Sequence, residues 1–200
     1  MQRTHEKTLR MVQLAILVAL VIVLQLVGSN IHVGPVSFSL VLIPIAVGGV
    51  LLGPAAGAIL GAVVGLITVI GGVSGADVFT NFLFSRQPVL TVALCLAKAT
   101  LAGLCAGLVF RALEKHNRWV AVVLASAVAP VVNTGIFVLG SITLFHSTLE
   151  EYILNVGAGV SVVYFIVILC AGINFLAEFG VNLIASPAVY RIWTAVTKKK

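Results

Sequence analysis

The sequence predicts an all-α integral membrane protein of about six transmembrane helices, on three observations. The 200 residues are 60% hydrophobic and only 9% charged, with a mean hydropathy of +1.19. The apolar residues fall into six runs, and the basic residues gather in three clusters between and beyond them. A soluble domain could not keep so much apolar surface from water, whereas about 20 apolar residues suffice for one membrane crossing.

The first span covers residues 11–27 and ends at the polar GSNIHVGP. It lacks a small-residue cleavage site and leads into further spans, so it reads as a retained helix rather than a signal peptide. The second covers residues 37–52, and Gly53–Pro54 breaks the chain before the third, at 55–72. Across this break GVLLGPAAGAILGAVVG places Gly49, Gly53, Gly57, Gly61 and Gly65 four residues apart. Glycines at that spacing share a helix face and let membrane helices approach closely. They are expected to form a seam between spans two and three. The fourth span covers residues 88–113, the fifth 119–145 and the sixth 157–184. With no long linker and no low-complexity stretch, residues 1–200 read as one polytopic membrane domain.

Orientation follows from the basic residues. Arg3, Lys7 and Arg10 precede span one, Arg111, Lys115 and Arg118 join spans four and five, and Arg191 with residues 198–200 follows span six. With six spans these clusters share a side, which the positive-inside rule makes the cytoplasm. Both termini are therefore expected inside. The net charge of +6 is then a topology signal rather than a nucleic-acid footprint.

Catalysis finds little support. Cys95, Cys105 and Cys170 all lie in apolar spans and read as small buried hydrophobes, without the spacing of a metal site. Gly72–Val73–Ser74–Gly75 matches a rhomboid-like GxSG string, but His5, His32, His116 and His146 all sit in tails or loops. A serine nucleophile needs a base on a neighbouring helix. Glu150–Glu151 begins an EExxxR pattern whose arginine is missing. No phosphate-binding loop is present, so any ATP use falls to a partner. No cofactor, metal site or catalytic residue is expected.

Binding or transport remains, and polar groups inside the spans mark where. Ionisable residues at membrane depth are costly and usually face a cavity or a partner. Lys98 lies roughly 14 Å below the outer end of span four at 1.5 Å per residue, and Asn133 on span five comes to a similar depth. Ser161 and Tyr164 lie slightly higher on span six, with Arg86, Asn81 and His32 at the outer mouth. These seven residues form the candidate substrate-binding set. Glu178 counts out much deeper, near Arg111, and is expected in a separate inner pair. With no acidic residue at the depth of Lys98, a ligand carboxylate would best compensate that lysine and Arg86.

At this point the chain resembles a known family. The Ala15-Ile-Leu-Val-Ala19 string, the polar loop before span two, LLGPAAGAILGAVVG and VNTGIF at 132–137 look like the substrate-binding S component of energy-coupling factor (ECF) transporters. The resemblance covers nearly the whole chain. It implies capture of a water-soluble vitamin or similar micronutrient from outside, under a lid from the first outer loop. It also implies a transmembrane coupling subunit, met through Ala15 and Ala19, two ATPase subunits, and a place in a prokaryotic plasma membrane. The sequence lacks the acidic pattern expected for thiamine and the metal-ligating N-terminus of the nickel and cobalt members. Among the family's substrates pantothenate best fits the anionic ligand such a pocket calls for, ahead of biotin, folate, lipoate and riboflavin. A stand-alone secondary carrier would usually show internal duplication, and no convincing repeat relates residues 1–100 to 101–200. A non-transport membrane scaffold and an intramembrane enzyme are the remaining rival readings.

Overall fold

A computed structural model describes residues 2–28, 32–33, 36–37 and 40–197. Five helices are long and apolar enough to cross a membrane, and a shorter one completes six. In chain order these are α1 (Gln2–Gly28), α2 (Leu42–Leu52), α3 (Pro54–Ser74), α5 (Pro88–Leu113), α6 (Arg118–Leu144) and the run from α8 (Val162–Tyr164) to α9 (Ile173–Thr197). Two short helices, α4 (Val78–Arg86) and α7 (His146–Asn155), sit at turns. A two-residue hairpin, β1 (His32–Val33) with β2 (Val36–Ser37), pairs His32 with Ser37. The fold is thus all-α apart from that hairpin.

The crossing between α2 and α3 is a Gly–Pro corner. Gly53 has φ +98°, where a side chain would be strained, and Pro54 supplies a preset φ at the first helical position. α2 has only 11 residues, so the second span is shorter than residues 37–52 suggest.

The glycine row packs more widely than expected. It forms a seam chiefly against α5, and between α2 and α3 a Cβ on Gly57 would also lie 3.2 Å from the Gly49 Cα. A Cβ on Gly57 would overlap the Gly103 carbonyl, one on Gly61 the Ala99 carbonyl, and one on Gly65 would lie 2.7 Å from the Cys95 oxygen. A Cβ on Gly49 would likewise come within 3.0 Å of the Gly107 nitrogen. The reason is that α5 carries its own small row at four-residue spacing, Cys95, Ala99, Gly103 and Gly107. Two rows of small residues mesh closely, so α5 takes most of the seam.

Two outer segments read as loops are helices. Asp77 caps α4, its carboxylate accepting from the Thr80 amide at 3.0 Å and the Thr80 hydroxyl at 2.9 Å. α7 buries Leu149 and Ile153 beneath its exposed glutamates. Phe79, Phe82 and Phe165 surround Tyr152, tying α4 to α7 and the sixth span.

The sixth span departs most from expectation. Residues 157–161 are not helical, Ser161 caps α8, and Phe165–Gly172 is a π-helical stretch. Helix then continues to Thr197, well beyond residue 184. At the other end of the bundle Trp119 meets Tyr190 edge-on, and Arg118 lies over the Trp193 ring at 5.2 Å. The start of α6 and the end of α9 therefore share one end with Arg111 and Lys115. Residues 198–200 lie outside the described residues.

Candidate functional site

α3 and α5 are locked together by the glycine seam, and the other helices close a cavity around their far half. Its volume is about 240 Å³. Pockets for drug-sized ligands usually run from about 300 Å³ upward, so this chamber suits a small molecule. α1 contributes Gln25, α2 its first residue Leu42, and α3 Thr68 and Ser74. α4 and its cap add Asp77, Phe79 and Thr80. Lys98 comes from α5, Asn133, Thr134 and Phe137 from α6, and Asn174 and Glu178 from α9.

Lys98 and Asn133 thus meet at one cavity. The Lys98 ammonium stands over the Phe137 ring, 5.1 Å from its centroid. A ring face attracts a cation, and more so away from water. Asn133 follows Pro130, which removes one amide donor inside α6.

Four of the other five expected residues, Arg86, Asn81, Ser161 and Tyr164, lie elsewhere. Arg86 pairs with Glu151 at the surface, across α4 and α7. Asn81 donates to the Gly72 carbonyl at 2.7 Å and fastens α4 to the end of α3. Ser161 accepts from the Tyr164 amide at 3.3 Å as a helix cap, and Tyr164 is about half exposed. His32 belongs to β1, and its side chain lies outside the described residues. Ser74, the serine of the GxSG string, ends α3 and donates to the Gly71 carbonyl at 3.2 Å.

Two carboxylates correct the expected charge pattern. Asp77 and Glu178 both line the cavity, and Glu178 is only 2% exposed. Counting depth from residue 157 placed Glu178 too deep, because the helix begins at Val162 and its π-helical turns climb less per residue. Glu178 accepts from the Asn174 amide at 3.3 Å, and its own backbone carbonyl accepts from Asn182 at 2.9 Å.

Gln25, Thr68, Thr134 and Asn174 are cavity residues that sequence reading missed. Each is a polar position on an apolar span, and four-residue spacing of Asn174, Glu178, Asn182 and Ser186 marks the inward face of α9. That spacing was the available signal.

Ala15 and Ala19 are both exposed on α1, which is only 11% buried across its most apolar window. Over residues 9–190 the chain matches a family model described as "ECF transporter, substrate-specific component". No curated protein matches it.

Proposed function

The chain belongs to the family of ECF transporter substrate-specific components, and on that premise we propose that it captures a small anionic micronutrient, pantothenate-like in chemistry, from outside the cell. It is a transport protein of the membrane, and its finer role is read as follows. The ligand sits in the cavity of about 240 Å³, with its carboxylate at Lys98 and a hydroxyl or amide at Asn133. Uptake then draws on a coupling subunit and two ATPases, with Ala15 and Ala19 as the contact to the former. The membrane is a prokaryotic plasma membrane, and the basic end of the bundle faces the cytoplasm.

The observation that carries this reading is Lys98. An ammonium at a cavity wall is costly without an anion, and this one stands over the aromatic face of Phe137. Asp77 accepts two hydrogen bonds from Thr80, so part of its capacity is already used within α4. Arg86, paired with Glu151, is left out of the ligand site.

The test is a ligand panel measured by calorimetry on the purified protein, repeated with Lys98→Met. The expected result is tightest binding by an acid and a loss of about tenfold or more in the variant, since charge-assisted bonds are worth roughly 1.5–3 kcal/mol. Tightest binding by a cation such as thiamine, or equal binding of the acid to both proteins, would overturn it. Glu178 in the wall favours a second reading, a zwitterionic ligand. That reading predicts an amino-acid-like compound at the head of the same panel.

A further inference from the structure

The polar groups of the cavity wall are unequal in kind. Five of the wall's seven hydroxyl and amide side chains already donate a proton inside the protein. The Thr68 hydroxyl donates to the Val64 carbonyl at 2.9 Å, Ser74 to Gly71 at 3.2 Å, and Thr80 to Asp77 at 2.9 Å. The Asn174 amide N–H donates to Glu178 at 3.3 Å, and that of Gln25 faces the Thr68 oxygen at 3.5 Å. What these bonds leave over is acceptor capacity. Gln25 Oε1 and Asn174 Oδ1 are both buried, with no hydrogen-bond partner among the described residues. Beside them the hydroxyl oxygens of Thr68 and Ser74 keep lone pairs.

An amide carbonyl buried without a donor is unfavourable, and native structures rarely keep one without a reason. Both amides turn on a terminal sp³–sp² torsion, which is broad and soft. A small rotation presents either carbonyl to the cavity that their side chains line. A ligand bringing hydrogen to these oxygens gains bonds that a ligand lacking donors cannot make. A wall built for donors then discriminates strongly, because its own groups stay unpaired with the wrong ligand.

We infer that the body of the ligand carries at least two neutral O–H or N–H donors besides its carboxylate, read by Gln25 on α1 and Asn174 on α9. This rests on the anionic reading of Lys98 and deepens it: the substrate class is a hydroxylated or amide-bearing acid, not a fatty or thioether acid of the same charge. Gln25 and Asn174 are specificity residues, whereas Lys98 anchors any acid.

Calorimetry on the full chain with acids that differ in donors tests this. Pantothenate (one amide N–H, two hydroxyls) and biotin (two ureido N–H groups) are compared with lipoate and octanoate, which have none beyond the acid. The parent is expected to bind one donor-bearing acid at least tenfold more tightly than either donor-free acid. Gln25→Met and Asn174→Leu are each expected to weaken that acid about fivefold or more and leave the donor-free acids unchanged; Gln25→Met should keep the melting temperature, whereas Asn174→Leu lowers it by removing the donor to the buried Glu178 carboxylate. A purely structural role would leave this discrimination intact, whatever the melting temperature does. Should either variant fail to fold, the parent's ranking of the four acids still decides. If lipoate or octanoate binds as tightly as the donor-bearing acids, or the folded variants keep the parent's discrimination, this inference fails while the anionic reading stands. If no acid binds, the anionic reading fails and this inference with it.

Discussion

An arginine at the mouth of a charged cavity attracts a functional reading, and at residue scale Arg86 is where such a reading meets a competing partner. Its guanidinium pairs with Glu151, and both side chains are about half exposed. Exposed pairs of this kind are worth roughly 0–1 kcal/mol. Arg86→Ala is therefore expected to change ligand affinity less than threefold, measured by the same calorimetry that Lys98→Met shifts by about tenfold. The contrast lies in environment: Lys98 stands over Phe137 at the cavity wall, while Arg86 is half in solvent. Depth counting along the sequence brings Lys98 and Asn133 together because α5 and α6 are uninterrupted helices whose rise is constant. The same counting fails for Glu178, since neither the non-helical residues 157–161 nor the π-helical stretch leaves a mark in hydropathy. Gln25 and Asn174 were hidden for another reason. Their chemistry lies in which of their protons are already spent, and that depends on neighbours from other helices.

Among the elements, α3 and α5 form the rigid pair of the bundle, their backbones in contact along successive four-residue steps of small side chains. Helix types and most boundaries were legible here, and Pro88–Leu113 is the same range in sequence and structure. Which helix the glycine row would meet was not, because a small face names no partner until another small face is found. The seam makes two positions diagnostic. Gly61→Ala would push a methyl group into the Ala99 carbonyl, which is backbone and cannot step aside. Such overpacking typically costs about 1–3 kcal/mol. Thermal unfolding in detergent should show a clear drop for this variant. Gly135→Ala is the control: it meets nothing within 4 Å on α6, and alanine favours helix. It should leave the melting temperature unchanged or slightly higher. A harmless Gly61→Ala would mean that α3 and α5 stand further apart than described.

For the whole molecule, the surface and the interior pose separate questions. α1 lies along the bundle with most of its apolar face uncovered, and Ala15 and Ala19 are both exposed. Ala15→Trp with Ala19→Trp is expected to abolish co-purification with the coupling subunit while ligand affinity stays within twofold, as two separate surfaces require. Intact co-purification would remove that face from consideration. The interior question begins at the shortness of α2. Its 11 residues reach about 16 Å at 1.5 Å each, roughly half of a 30 Å hydrocarbon layer. Leu42, its first residue, lines the cavity, so the chamber lies beyond the point where this helix stops. A guest molecule there does what the outer half of a helix would do: it gives Leu42, Phe137 and Thr68 something to lean on. By mass action, a ligand that binds only the folded chain adds about 2.7 kcal/mol at a hundred times its dissociation constant. The melting temperature of the protein should therefore climb with the logarithm of ligand concentration, and a heating curve alone becomes an assay for occupancy.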